Sequence, residues 1–182
     1  MSEKNLFQFN SDIAIGDDKV RIAFYSNIGF FIEVAQMLEY HLRKLICYHL
    51  SVNEIEATEM NKENIICICK KYDDYYLKTY NDKLTLGQLV GKLGECGILS
   101  EIVPLVREVN NYRIQVVHKI FQNNIYAKTL QNVENVRNYT EERIIPMTNM
   151  AITVNELLIK TIGVYREDLH EYKKQFDIPF DE

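Results

Sequence analysis

The stretch FYSNIGFFIEVAQMLEYHLRKL, residues 24–45, decides the fold class. Phe24, Ile28, Phe31, Ala35, Leu38, Leu42 and Leu45 recur at alternating steps of four and three. That spacing lays them along one face of an α helix. The pattern predicts a helix from about Asp17 to Leu50, roughly 50 Å long at 1.5 Å per residue. Phe30, Val34 and Met37 add a partial second stripe, so the middle of this helix is expected to be buried on two sides.

Outward from that helix, the rest of the chain has few breaks. Seven glycines and three prolines punctuate 182 residues, which suits long helices better than a turn-rich β fold. The expected architecture is all-α: an antiparallel helical bundle of about five to six helices with a long first helix. One helical domain spans 1–182, with irregular ends at about 1–16 and 175–182. The net charge of −5 excludes a general nucleic-acid or membrane binder, so a nucleic-acid function needs a local basic patch. Cys47, Cys67, Cys69 and Cys96 lack zinc spacing and read as buried free thiols of a reducing compartment. Met1–Asn5 has no apolar signal-peptide core, and no stretch is apolar for long enough to cross a bilayer. A cytoplasmic protein is expected, with no metal and no cofactor.

Further helices are expected as follows. Asn53-Glu54-Ile55-Glu56 reads as a helix start, with an Asx cap and a glutamate three positions on. Residues 54–80 read as helix because Tyr72, Tyr76 and Tyr80 repeat at helical spacing, although Ile65-Ile66-Cys67-Ile68-Cys69 has β-like composition. Those tyrosines, with Lys70, Lys71 and Lys78 among them, read as a core stripe with snorkelling lysines. The competing reading is bases stacked on tyrosine with lysine on phosphate. Thr85-Leu86-Gly87-Gln88 is a capping box, and Gly94 and Gly97 close its short helix. Gly87, Gly91 and Gly94 do not make a phosphate loop, because the spacing is short and Leu93 follows Lys92. They read as a small-residue face where two helices approach closely. The next helix starts near Ser100, tolerates Pro104 in its first turn and runs to about Gln122. Another is expected from Ile125 to about Arg143. The last follows Pro146, with Met147, Met150, Val154, Leu157, Thr161, Val164 and Leu169 on one face.

The chemistry-bearing stretch is Asn110-Asn111-Tyr112-Arg113-Ile114-Gln115-Val116-Val117-His118. Arginine supplies a permanent positive charge for phosphate, and histidine moves a proton near neutrality. On a regular α helix the two are about 140° apart around the axis. His118 shares a polar side with Arg107, Asn111, Gln115 and Gln122. Arg113 shares an apolar side with Val106, Val109, Val116, Val117 and Ile120, so it needs an anionic partner, an interface or a ligand. Three readings follow. Arg113 pairs with a carboxylate such as Glu33 or Glu39 and His118 is an ordinary surface residue; or two subunits bring both residues into one cleft; or the pair binds an anion without chemistry.

Arg113-Ile114-Gln115-Val116-Val117-His118 resembles the Arg-x4-His motif of the HEPN superfamily (higher eukaryote and prokaryote nucleotide-binding domains). Met37-Leu38-Glu39-Tyr40-His41-Leu42 resembles the first long helix of these all-α domains. Thr85-Leu86-Gly87-Gln88-Leu89-Val90 is similar to the short helix that often precedes the motif. Ile114 stands where the family commonly has asparagine, and Ile120 where some toxin members have a modifiable tyrosine. The resemblance implies a metal-independent endoribonuclease, as a toxin or antiviral defence effector, acting by 2′-hydroxyl attack. It implies Arg113 and His118 as the catalytic pair. Asn110, Asn111, Gln115 and Lys119 are the accompanying candidates for substrate binding. RNA, a homodimer and an antitoxin or other regulatory protein are the implied partners. The alternative is a non-catalytic HEPN-like module that binds a nucleotide, RNA or protein.

Overall fold

Six α helices and no strand make up the described residues of this computed structural model. It describes residues 18–119, 129 and 133–180, with backbone alone for 18–20 and 119. The helices are α1 (Asp18–Glu56), α2 (Lys62–Asn81), α3 (Leu86–Cys96), α4 (Val103–Ile114), α5 (Val133–Tyr139) and α6 (Ile145–Gln175). The expected lead-in over 1–16 lies outside the described residues, as does most of the helix expected from Ile125.

The stripe on α1 is the spine of the core. Phe24, Phe31, Ala35, Leu38, Leu42 and Leu45 are buried, together with Leu89 and Leu93 of α3, Val106 and Val109 of α4, and Ala151 and Leu158 of α6. Each Val, Leu or Phe side chain among them contributes about 1.5–3 kcal/mol by leaving water. Of the second stripe only Val34 is buried. Phe30 and Met37 face outward, which corrects the expectation of a helix covered on two sides. α2 folds back antiparallel on α1, so that Lys71 reaches Glu54 and Tyr80 lies beside Arg43. α6 runs parallel to α1, joining His41 to Asn155 and His49 to Tyr165.

α1 does not stop where Asn53 offers a cap. Asn53 turns its amide to His49, and Glu56 accepts from the Tyr172 hydroxyl at 2.9 Å. With both capping groups engaged elsewhere, the helix continues to Glu56. Asn61 is the true cap of α2, accepting from the Asn64 N–H at 2.9 Å. Residues 64–70 are helical, and a second small core of Val52, Ile55, Ile65, Ile68, Cys69 and Leu169 is closed by the tail residues Phe176, Ile178 and Phe180. The buried-thiol expectation fails at Cys67, which is exposed; burial pushes the Cys47 thiol up to about 12.

The capping box on α3 forms as expected, and Gly97 ends the helix in the left-handed region at φ 69°. Only one of the three glycines marks a close approach: a Cβ on Gly87 would meet the Asn110 amide at 3.2 Å, whereas Gly91 and Gly94 face open space. Pro104 sits in the first turn of α4 after a 3-10 turn at Ser100–Ile102. A wide π turn, at Thr140–Ile144, joins α5 to α6 without the expected break. Pro146 has no N–H to give a continuous α helix, and the wider hydrogen-bonding pattern just before it accommodates the loss. The buried face of α6 agrees with the expected one at Val154 and Leu169 and differs elsewhere. Thr148, Ala151, Val154, Asn155 and Leu158 point inward, Val164 is exposed, and Met147, Met150 and Leu157 are half-buried.

Candidate functional site

Arg113 leaves the apolar side of α4 and reaches across to α1. Its Nη1 lies 3.0 Å from Glu39 Oε1, with the arginine side chain 26% exposed. Glu39 is therefore the carboxylate partner, while Glu33 stays exposed. Three groups converge on this carboxylate. Besides Arg113, Oε1 accepts the backbone N–H of Leu86 at 3.1 Å, and Oε2 lies 3.8 Å from Arg43 Nη2, one turn further along α1. The Leu86 N–H is one of the unpaired donors at the start of α3, where a carboxylate is favoured by the helix dipole as well.

Arg43 continues the network. It is only 9% exposed, and its Nη2 donates to the Leu84 carbonyl at 2.6 Å. Its guanidinium lies 6.0 Å from the centre of the Tyr80 ring, within reach of a cation–π attraction. The Nε donors of both Arg43 and Arg113 are buried and have no hydrogen-bond acceptor among the described residues. Such donors are uncommon in folded proteins and call for an explanation.

These groups line one cleft of about 370 Å³, bounded by Glu39, Arg43, Tyr80, Lys83, Leu84, Thr85 and Arg113. Three cations face one carboxylate there, so the cleft is locally basic on an acidic chain. Tyr80, 62% exposed, forms an aromatic wall. Of the tyrosine stripe on α2, Tyr72 and Tyr76 are half-buried, and only Tyr80 is free to meet a ligand.

His118 lies further along the same segment, on a wide π turn spanning Gln115–Lys119. Such a turn bonds residue i to i+5 and so uses more residues per revolution than an α turn. The 140° separation expected of a regular α helix is thereby reduced, because His118 is five residues from Arg113. His118 is exposed and makes no hydrogen bond to another described residue. Asn111 and Gln115 are exposed, and Asn110 is half-buried against Gly87. The Lys119 side chain, Ile120 and Gln122 lie outside the described residues. The structure thus brings Arg113 together with Glu39, Arg43, Tyr80, Lys83 and Thr85, and Asn110, Asn111, Gln115 and His118 do not line that cleft. Arg43 and Lys83 escaped the sequence reading. The signal for Arg43 was its place four residues after Glu39.

The fold and this corner define an all-α bundle with a basic, aromatic-walled cleft. Compared with known families, curated proteins and solved structures, the chain matches none of them. Among the described residues, no helix is long and apolar enough to cross a membrane.

Proposed function

We propose that this chain is a HEPN-type endoribonuclease that cleaves RNA without a metal ion, with a second copy completing the site. The observation that carries the proposal is the position of Arg113 in a basic cleft, with an exposed imidazole one wide turn further along the same helix. His118 takes the proton from the 2′-hydroxyl, whose oxygen attacks the adjacent phosphorus while the 5′-oxygen leaves. Arg113 stabilises the negative charge that grows on the phosphorane oxygens. His118 of the second copy protonates the leaving oxygen. Ile114 and Val117 expose apolar side chains on the same stretch as His118, a surface that a second copy would cover.

A second reading has its own support. Arg113 is already neutralised by Glu39, and His118 has no orienting partner among the described residues, as in a module that holds RNA without cutting it. Cleavage of end-labelled RNA in EDTA separates the two. The wild-type chain is expected to cut, and His118→Ala to slow cutting by about 10²–10⁴-fold while keeping the fold. Equal rates for the two proteins, or loss of wild-type cutting in EDTA, would overturn the metal-free histidine mechanism. RNA bound but uncut by the wild type would put the binding module in its place. Sedimentation checks the second copy, since a strict monomer that still cleaves would refute the shared site. Expression of the wild type, but not of His118→Ala, is expected to slow bacterial growth.

A further inference from the structure

We infer that the cleft between α1, the α2–α3 turn and α4 is a nucleotide subsite, in which Lys83, Arg43 and Arg113 receive a phosphate and Tyr80 stacks a base. That this nucleotide belongs to RNA cut at His118 rests on the ribonuclease reading; the binding itself does not.

The first argument concerns charge and donors. Glu39 can balance one of the two arginines, and Lys83 adds a further cation at the same cleft. Each arginine also keeps a buried Nε–H without an acceptor among the described residues. A phosphate group supplies the negative charge that the cleft lacks, and its oxygens accept from the guanidinium and ammonium groups lining the cleft. The aromatic wall indicates what the phosphate is attached to. Tyr80 is largely exposed, yet it is held in place beside Arg43, and a stacked base is the ligand that such an arrangement favours. The volume of about 370 Å³ admits one nucleotide unit and little more.

The second argument is independent and comes from the backbone. α2 ends in a Schellman motif: the Leu84 N–H reaches the Thr79 carbonyl at 3.3 Å and the Lys83 N–H reaches Tyr80 at 3.1 Å. This closure places Lys83 at φ 50°, in the left-handed region. Glycine is the residue that fits there, and any side chain with a Cβ is strained. Lysine is the poorer choice for the turn, and yet its side chain lines the cleft. Arg43 braces the same turn through the Leu84 carbonyl. The turn thus carries an ammonium group to the cleft wall at some cost in backbone strain.

Lys83→Gly therefore separates binding from folding. In an otherwise uncut background, His118→Ala, binding of fluorescein-labelled octa-adenylate is followed by anisotropy in the full chain. Adding Lys83→Gly is expected to leave Tm level or raise it by up to about 3 °C. It is expected to weaken the oligonucleotide about tenfold and to flatten the dependence on salt by about one phosphate contact. Tyr80→Ala is expected to weaken it by a similar factor with the salt dependence unchanged. Binding that ignores both substitutions would overturn the subsite. AMP is expected to compete better than inorganic phosphate; equal competition would overturn the aromatic platform. Cleavage that fails while this binding persists strikes the ribonuclease reading alone. A chain that cleaves RNA but binds it without regard to Lys83 or Tyr80 strikes the subsite alone.

Discussion

The two flanks of α1 carry polar groups into the bundle in opposite ways. Toward α6 the groups are polar and matched. The Asn155 amide donates to the Val34 carbonyl at 3.1 Å, and its oxygen faces His41 Nδ1 at 2.8 Å. Since a backbone carbonyl only accepts, the amide orientation is settled, and His41 Nδ1 must be the donor. Toward α3 and α4 the groups are charged and unmatched, with spare donors and excess positive charge around Glu39. A seam whose hydrogen bonds close on themselves fixes the register of two helices and has nothing left for a ligand. A corner in which three cations face one carboxylate keeps an excess of positive charge at its surface. The difference is the ground for proposing that the charged flank, and not the matched one, binds a ligand.

The largest expected effect breaks the charged flank. Glu39→Ala removes the counter-charge of two arginines and the acceptor for the first N–H of α3 at once. Uncompensated buried charge is expensive, and the loss is expected to be about 3 kcal/mol in urea unfolding. Glu39→Gln, which keeps an acceptor, should lose less. If Glu39→Ala were as stable as the wild type, the arginines would be solvated after all, and the contrast between the flanks would collapse.

The matched flank should yield less. Asn155→Leu replaces a buried amide by a hydrocarbon of similar volume, leaving the Val34 carbonyl without its side-chain donor and His41 without its acceptor. The expected loss is about 1–2 kcal/mol, because half-exposed His41 can turn to water. RNA binding should be unchanged. A loss of binding here, with the fold intact, would show that the seam and the cleft are coupled.

Much of the fold was legible because hydrophobic spacing is local. The stripe from Phe24 to Leu45 and the Thr85 capping box needed no knowledge of neighbours. The failures have physical causes. The face of α6 was misread because its buried seam contains Thr148 and Asn155, which a search for apolar residues passes over. The end of α1 was misread because Asn53 bonds back to His49 within the helix and Glu56 accepts from Tyr172 of α6, which leaves neither to cap a new start. Beyond Ile114 the π turn shifts Gln115–Lys119 around the axis, so Val117 is exposed although a regular helix puts it on the apolar side. Of the site, Arg113 and its partner Glu39 were legible, since an arginine on an apolar stripe requires an anion. Lys83 and Arg43 were not, because a charge on a helix or turn reads as solvated until the fold brings it to a wall. Lys83 was further hidden by standing where a turn of this kind normally shows glycine.

The smallest effect sharpens the matched flank. His49 Nδ1 lies 2.8 Å from the Tyr165 hydroxyl, and Nε2 faces the Asn53 amide N–H at 2.8 Å. An amide nitrogen donates, so Nε2 accepts and the ring is neutral, with its proton on Nδ1. Burial lowers the pKa of His49 below 6.5. The folded chain thus binds this proton more weakly than the unfolded chain. The contribution of the neutral ring is fully present above about pH 6.5 and is lost as the pH falls through the lowered value. Protonation would set an Nε2–H against the Asn53 N–H, a clash that exposed Asn53 relieves by turning its amide, so the effect is small. Between about pH 7.5 and 5.5 the wild type should lose more Tm than His49→Gln, by less than about 2 °C. Parallel curves for the two proteins would show that the ring is already solvated. The seam would then owe its register to Asn155 alone.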